Sequence, residues 1–275
     1  MAENGEQIPE LSISGNAPLY RKPEPLNFAQ HGKLGLKTTP DTMLSFLKGA
    51  SYLPCVAAEF AHLSRFYPIV FAGENYMPIA VTGLKEGQNV FVREDGTYEP
   101  HHYVPGYARR YPFIFANNPE QGQSVVCLDR AHEAIGENPD IPFFNGEEPT
   151  DYLKRTIEFL HVFERDRIET DKLVAFLREL DLFGDMQSDY STRGPDGNVT
   201  VNARVATFRG VPEEKMRELK PEQLQELHKR GYLALIYAHQ ISLLNWSNLL
   251  HRSVERGFVE LPTGEQKTEE PIAQA

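Results

Sequence analysis

The sequence predicts an α+β fold: a curved, mainly antiparallel sheet in the N-terminal half packed against helices, followed by a helical C-terminal half. Three observations carry that expectation. Between Tyr67 and Leu128 the apolar residues come in short runs punctuated by Gly73, Gly83, Gly87, Gly106 and Gly122, the spacing of brief strands with tight connections. After Thr150 they recur at helical intervals, as in Leu153, Ile157 and Leu160. No Gly-rich loop joins a strand to a helix, so the dinucleotide and phosphate-loop patterns of parallel sheets are absent.

The chain has 275 residues, 40% hydrophobic and 24% charged, an ordinary balance that permits a sizeable core. Its net charge of −11 argues against a nucleic-acid partner, because phosphate binding requires a basic face. Cys55 and Cys127 each lie in an apolar run and read as buried, reduced thiols; a disulfide or a catalytic cysteine is the other reading. Met1–Glu10 carries neither the basic nor the apolar region of a signal peptide, which points to a cytoplasmic protein. Tyr232–Leu250 contains no Asp, Glu, Lys or Arg and is long enough to span a bilayer. It also holds His239, Gln240, Ser242, Asn245, Ser247 and Asn248, which lipid would penalise, so it reads as a buried core helix with no membrane span.

In order, residues 1–39 form an irregular arm, with Pro18, Pro23 and Pro25 forbidding a long helix. Residues 40–137 are read as a helix pair plus antiparallel sheet. Asp41 caps a helix through Lys48, and Pro54 opens a second over Cys55–Arg65 with Val56, Phe60 and Leu63 on one face. The strands expected are Ile69–Phe71, Ile79–Gly83, Asn89–Arg93, Phe113–Ala116 and Val125–Leu128, with Asp95-Gly96 as a hairpin turn. Asn138–Pro149 is the internal linker. Residues 150–257 form a mainly helical part, expected to pack as one body with 40–137. Thr150 or Asp151 caps a helix over Tyr152–Asp166, and Thr170-Asp171 caps another through Leu182. Gly184–Asn198 reads as a loop, Asn198–Arg209 as a strand or hairpin arm, and Pro212 and Pro221 open short helices. Residues 258–275 read as a disordered tail.

Two stretches echo one another: Phe66-Tyr-Pro-Ile-Val-Phe71 and Tyr103-Val-Pro-Gly-Tyr-Ala-Arg-Arg-Tyr-Pro-Phe-Ile-Phe115. In each, Tyr-Pro launches an apolar run, and a Pro at the first residue of a strand is tolerated because its missing N–H falls outside the ladder. Both strands are expected in one sheet, backed by the Cys55–Arg65 helix. Together with Gly83-Leu84, Gly87-Gln-Asn-Val-Phe-Val92 and Gly231-Tyr-Leu233…Ile236-Tyr-Ala-His239…Ser242-Leu243…Asn245, these motifs resemble the bacterial SapC family over Ala17–Leu250. His31 also falls where that family tends to carry His. The family shares its name with an unrelated peptide-transport permease. The resemblance implies a loose link to surface-layer proteins, with no catalytic residue to carry over.

The residues allow two chemistries. One is a binding or accessory protein whose cleft is lined by Tyr67, Tyr103, Tyr107 and Tyr111 with Arg109 or Arg110 as anchor; aromatic walls with one cation suit a small acid or a peptide end. Consecutive arginines cannot point the same way, so one should be buried against Glu59 or Asp129 and the other should face the cleft. No cofactor is expected in this reading, and no metal. The alternative is a metal-dependent enzyme with a His/Glu site drawn from His31, Glu59, His62 or one of the His101/His102 pair. Only Glu59 and His62 have helical ligand spacing, and His101-His102 on a strand would face opposite ways. No Ser nucleophile elbow and no Cys-centred catalytic signature is present.

Overall fold

The computed structural model describes residues 18–37, 44–118, 123–193, 199–261 and 273–274. The expected cap at Asp41 and most of the tail expected from residue 258 lie outside them.

The arm contributes β1 (Pro23–Pro25), a helical turn α1 (Phe28–His31) and β2 (Leu34–Leu36). Next come β3 (Tyr52–Pro54), a 3-10 turn at Ala57–Glu59 running into α2 (Phe60–Leu63), β4 (Ile69–Ala72) and β5 (Met77–Val81). The turn α3 (Gly106–Arg109) precedes β6 (Phe113–Asn118) and β7 (Gln123–Asp129). Short strands β8 (Ile135–Glu137), β9 (Ile141–Pro142), β10 (Phe144–Asn145) and β11 (Glu148–Pro149) lead to the long helix α4 (Asp151–Glu179). The hairpin β12 (Gly184–Arg193) and β13 (Val199–Gly210) follows. Helices α5 (Glu213–Arg217), α6 (Pro221–Lys229), α7 (Tyr232–Ser242) and α8 (Asn245–Glu255), with β14 (Ala273–Gln274), complete the chain. The fold is α+β: antiparallel sheets in the N-terminal half and helices in the C-terminal half, with the β12–β13 hairpin between helices. The only parallel pair among the described strands is β13 with β14.

The two Tyr-Pro strands lie in different sheets, contrary to expectation. β4 belongs to a six-stranded sheet of order β12-β13-β4-β5-β3, with β14 on β13, whereas β6 belongs to a three-stranded sheet of order β1-β7-β6. The repeated launch motif sets where a strand begins but not its partner. β6 follows its hairpin partner β7 and buries Phe113 against Phe143 and Leu153.

Other elements differ for local reasons. The helix expected over Cys55–Arg65 begins later, because the Cys55 N–H still bonds to Pro78 O and the Ala57 N–H is taken by Thr170 Oγ1. Asn89–Arg93 is not a strand: Asn89 Oδ1 accepts the Phe91 N–H, a side chain competing with the ladder, and only Val92 bridges to Tyr98. The Asp95-Gly96 turn does form, with Gly96 at φ +88 and the Asp95 carboxylate accepting the Thr97 N–H. Gly184–Arg193 is the first arm of a hairpin rather than a loop.

Thr150 caps α4 as expected, accepting the Leu153 N–H. Thr170 does not start a second helix; its hydroxyl donates to Asp166 O, so a single helix of 29 residues runs through. It serves three hydrophobic clusters in succession. Leu153 and Leu160 pack with β2 and β6, Phe163 with Leu47, Leu53 and Tyr107, and Leu173, Val174 and Leu177 with the large sheet and the terminal helices.

The uncharged run at Tyr232–Leu250 forms two helices that break at Leu243-Leu244. The sequence predicts burial at Leu235, Ile236, Leu243 and Leu244, but of these only Ile236 is buried; Leu235 and Leu243 are half-buried and Leu244 is 78% exposed, while Trp246, Leu249 and Leu250 fill the core instead. Ser242 explains the break: its Oγ donates back to His239 O while accepting the Ile69 N–H, which favours a bend over another turn. His239, one turn earlier, takes the Ile69 C=O on Nδ1 at 2.7 Å and accepts the Val211 N–H on Nε2 at 3.0 Å. α7 thereby satisfies the first residue of β4, which β13 pairs only at Arg209↔Phe71. Gly210 permits the approach, since a Cβ there would sit 2.9 Å from His239 Nε2. Among the described residues no helix is long and apolar enough to cross a membrane. Both cysteines are buried and unpaired.

Candidate functional site

The candidate site is built on the turn Tyr103–Tyr111, and Glu59 holds that turn in place. Glu59 is buried, and its Oε1 accepts the Gly106 N–H at 2.6 Å and the Tyr103 hydroxyl at 2.7 Å. Only glycine fits at 106, where a Cβ would stand 2.9 Å from that oxygen and 3.2 Å from the Phe163 ring. Burial and the neighbouring Glu59 charge push the Tyr103 hydroxyl up to about 12, so it stays a donor.

From this turn the two arginines diverge as expected, but with their partners exchanged. Arg109 is the exposed one, and it is the one that meets Glu59: Nη2 lies 3.5 Å from Oε1 and donates to the Tyr103 hydroxyl at 2.8 Å. Its guanidinium is sandwiched 5.2 Å from the Tyr103 ring and 4.9 Å from Phe159. Arg110 is the buried one, and no carboxylate pairs with it among the described residues. Aromatic faces surround it instead: Tyr107 at 4.3 Å, Phe163 at 4.6 Å and Tyr20 at 5.7 Å. Its Nε is buried without a hydrogen-bond partner.

Asp129 cannot serve Arg110 because its acceptors are already taken. Its carboxylate receives the N–H groups of Arg21, Lys22 and Ala131 and the Tyr111 hydroxyl. Burial works to raise its pKa, but those donors outweigh it and hold the carboxyl below the usual range. Asp129 therefore fastens the arm to β7, and the arm carries Tyr20 onto Arg110.

Of the six expected residues, three line one cleft. Arg109, Arg110 and Tyr111 face Phe113 of β6 and Tyr152, Arg155, Thr156 and Phe159 of α4 across a hollow of about 400 Å³. Tyr67 is not a wall residue: it is fully buried and donates to Tyr103 O. Tyr107 is buried too and donates to Pro18 O, with burial raising its hydroxyl to about 12. Tyr103 stacks on His62 at 5.1 Å rather than lining the hollow. The α4 residues escaped the sequence reading, although Tyr152, Thr156, Phe159 and Phe163 share one helical stripe that the spacing displays. A larger open cleft of about 890 Å³ lies on the other side of Tyr111, with Tyr20, Phe46, Tyr52 and His132 in its lining. It mixes Arg21, Lys37 and Lys48 with Glu86 and Glu133, so its charge selects no one sign of ligand.

The metal-enzyme alternative loses its ligands. His31 is held by Glu24 at 2.9 Å and by Asn27 O, His62 stacks on Tyr103, and His102 bonds to Pro100 O and faces Arg252. His101 is exposed, and Glu59 is occupied by the turn. Among the described residues no three His, Cys, Asp or Glu side chains converge on a common point.

Among curated proteins and solved structures, none matches the chain. A family model, described as SapC, matches residues 26–249, nearly the whole length and all of the elements that frame the cleft. The Tyr-Val-Pro…Arg-Arg-Tyr-Pro-Phe block and the Glu59 that anchors it both fall within that match, and the chain belongs to the SapC family.

Proposed function

We propose that the chain is a binding or accessory protein that holds a small acid, or the carboxylate end of a peptide, in the cleft of Arg109, Arg110 and Arg155. One observation carries the reading: three arginines and no carboxylate line a single aromatic-walled hollow, in a chain whose net charge is −11. A cationic pocket in an acidic protein runs against the average field and suits an anion, which Arg can grip with two parallel hydrogen bonds. The pair of buried, unlinked thiols suits a reducing compartment, and we place the protein in the cytoplasm.

Calorimetric titration of benzoate and of a short peptide, each against its neutral amide, tests this. The acids should bind and the amides should not. Arg155→Ala, an exposed position on α4, should weaken binding about tenfold, or roughly 1.4 kcal/mol, while leaving the melting temperature in place. Equal binding of acid and amide, or an unaffected Arg155→Ala variant, overturns the reading.

A further inference from the structure

Resting on that reading, we infer that the cleft takes a dianion carried on an aromatic ring, an aryl phosphomonoester or an aromatic dicarboxylate, rather than a single carboxylate. Arg109 already has Glu59 at 3.5 Å, so its positive charge is met within the protein. Arg110 and Arg155 have no ion-pair partner among the described residues, and both line the hollow. Arg110 is enclosed and lacks a counter-charge, and Arg155 at the open side adds a second, solvated cation, so a dianion can meet both where a monoanion meets one.

Arg110 adds a second, independent observation. It is only 9% exposed, and its buried Nε has no acceptor, which is unusual for so strong a donor. The rings of Tyr107 and Phe163 hold its plane in place, so it is fixed before any ligand arrives.

The walls and size set the rest of the ligand. Tyr111, Tyr152 and Phe159 offer ring faces and edges, and about 400 Å³ is near the lower end of small-molecule pockets, room for one ring and its charged group. A phosphomonoester concentrates both charges on one group, while a dicarboxylate spreads them.

The test titrates the full chain with phenyl phosphate, isophthalate, benzoate and methyl phosphate at constant ionic strength. Phenyl phosphate or isophthalate should bind at least tenfold more tightly than benzoate, and whichever leads tells whether the charges sit on one group or two. Phenyl phosphate should also lose affinity as pH falls through its second ionisation near about 6, while benzoate stays level. In Arg155→Ala the preference for dianion over monoanion should collapse, with Arg155→Lys restoring part of it. Benzoate binding as tightly as both aromatic dianions would overturn the dianion while leaving the acid-binding reading intact. Methyl phosphate matching phenyl phosphate would overturn the aromatic ring. No binding by any of the four would overturn both readings together.

Discussion

Asp129→Ala should lower the stability of the chain by about 3–4 kcal/mol. The substitution removes an acceptor that serves three backbone N–H groups and one hydroxyl, and each donor left without a partner costs about 1–3 kcal/mol where water cannot replace it. Arg21 and Lys22 have exposed side chains, so their N–H groups can recover part of the loss from solvent, which keeps the figure below the full sum. Asp129→Asn should fall between, since an amide offers one acceptor oxygen and turns an NH₂ donor toward the remaining N–H groups. The effect reaches the cleft: the arm that Asp129 fastens delivers Tyr20 to Arg110, so the alanine variant should also bind acids poorly. Urea denaturation measures the first effect and titration the second. A loss below about 1 kcal/mol would mean that β1 pairing with β7 holds the arm without help from the carboxylate.

Acid should weaken the protein in a window set by His239. Burial lowers this histidine from 6.5 to about 4, and its Nε2 is committed as acceptor to the Val211 N–H, leaving no site for a second proton. A group whose folded pKa lies below its unfolded one binds its proton first in the unfolded chain. Stability is therefore full above about pH 6.5, declines as pH falls, and levels off below about 4; the span amounts to roughly 3 kcal/mol. Asp129 acts lower: its depressed pKa supplies stability that is present above the ordinary carboxylate value and lost as pH falls through the folded value. Denaturation of the wild type and of His239→Gln at pH 7 and pH 5 separates the two. The wild type should lose clearly more stability between those points than the variant, in which His132, also lowered by burial, still contributes; parallel losses would clear His239 of the effect.

Elements with a strong local signal were legible from the sequence. The α+β class, the Thr150 cap, the Asp95-Gly96 turn and the division of labour between Arg109 and Arg110 all follow from periodicity, capping chemistry or the geometry of neighbouring side chains. What escaped depends on contacts distant in sequence. Thr170 reads as a helix start because Thr followed by Asp caps well, yet its hydroxyl is drawn to the Ala57 N–H, 113 positions away. Ser242 breaks an apolar run because Ile69 needs an acceptor. The partner of Arg110 could not be read at all, since charge suggests a carboxylate and the chain supplies three rings from three separate segments. The site was half legible for the same reason: the arginine turn is contiguous, and its opposite wall is one face of a helix that begins about 40 residues later.

That helix has a mechanical meaning. At 29 residues and about 1.5 Å of rise per residue, α4 is a rod roughly 43 Å long that enters three apolar clusters in turn. Its stiffness joins them. Pulling Leu153 from its cluster strains the same rod that seats Phe163 under Arg110 and Leu177 beneath the large sheet. Because a helix unravels most readily from its ends and each end is seated, neither cluster can loosen cheaply alone. The arginine cleft sits along roughly the rod's first two to three turns, on the stretch that Leu153 and Leu160 anchor and next to the one that Phe163 anchors, and inherits its rigidity from both.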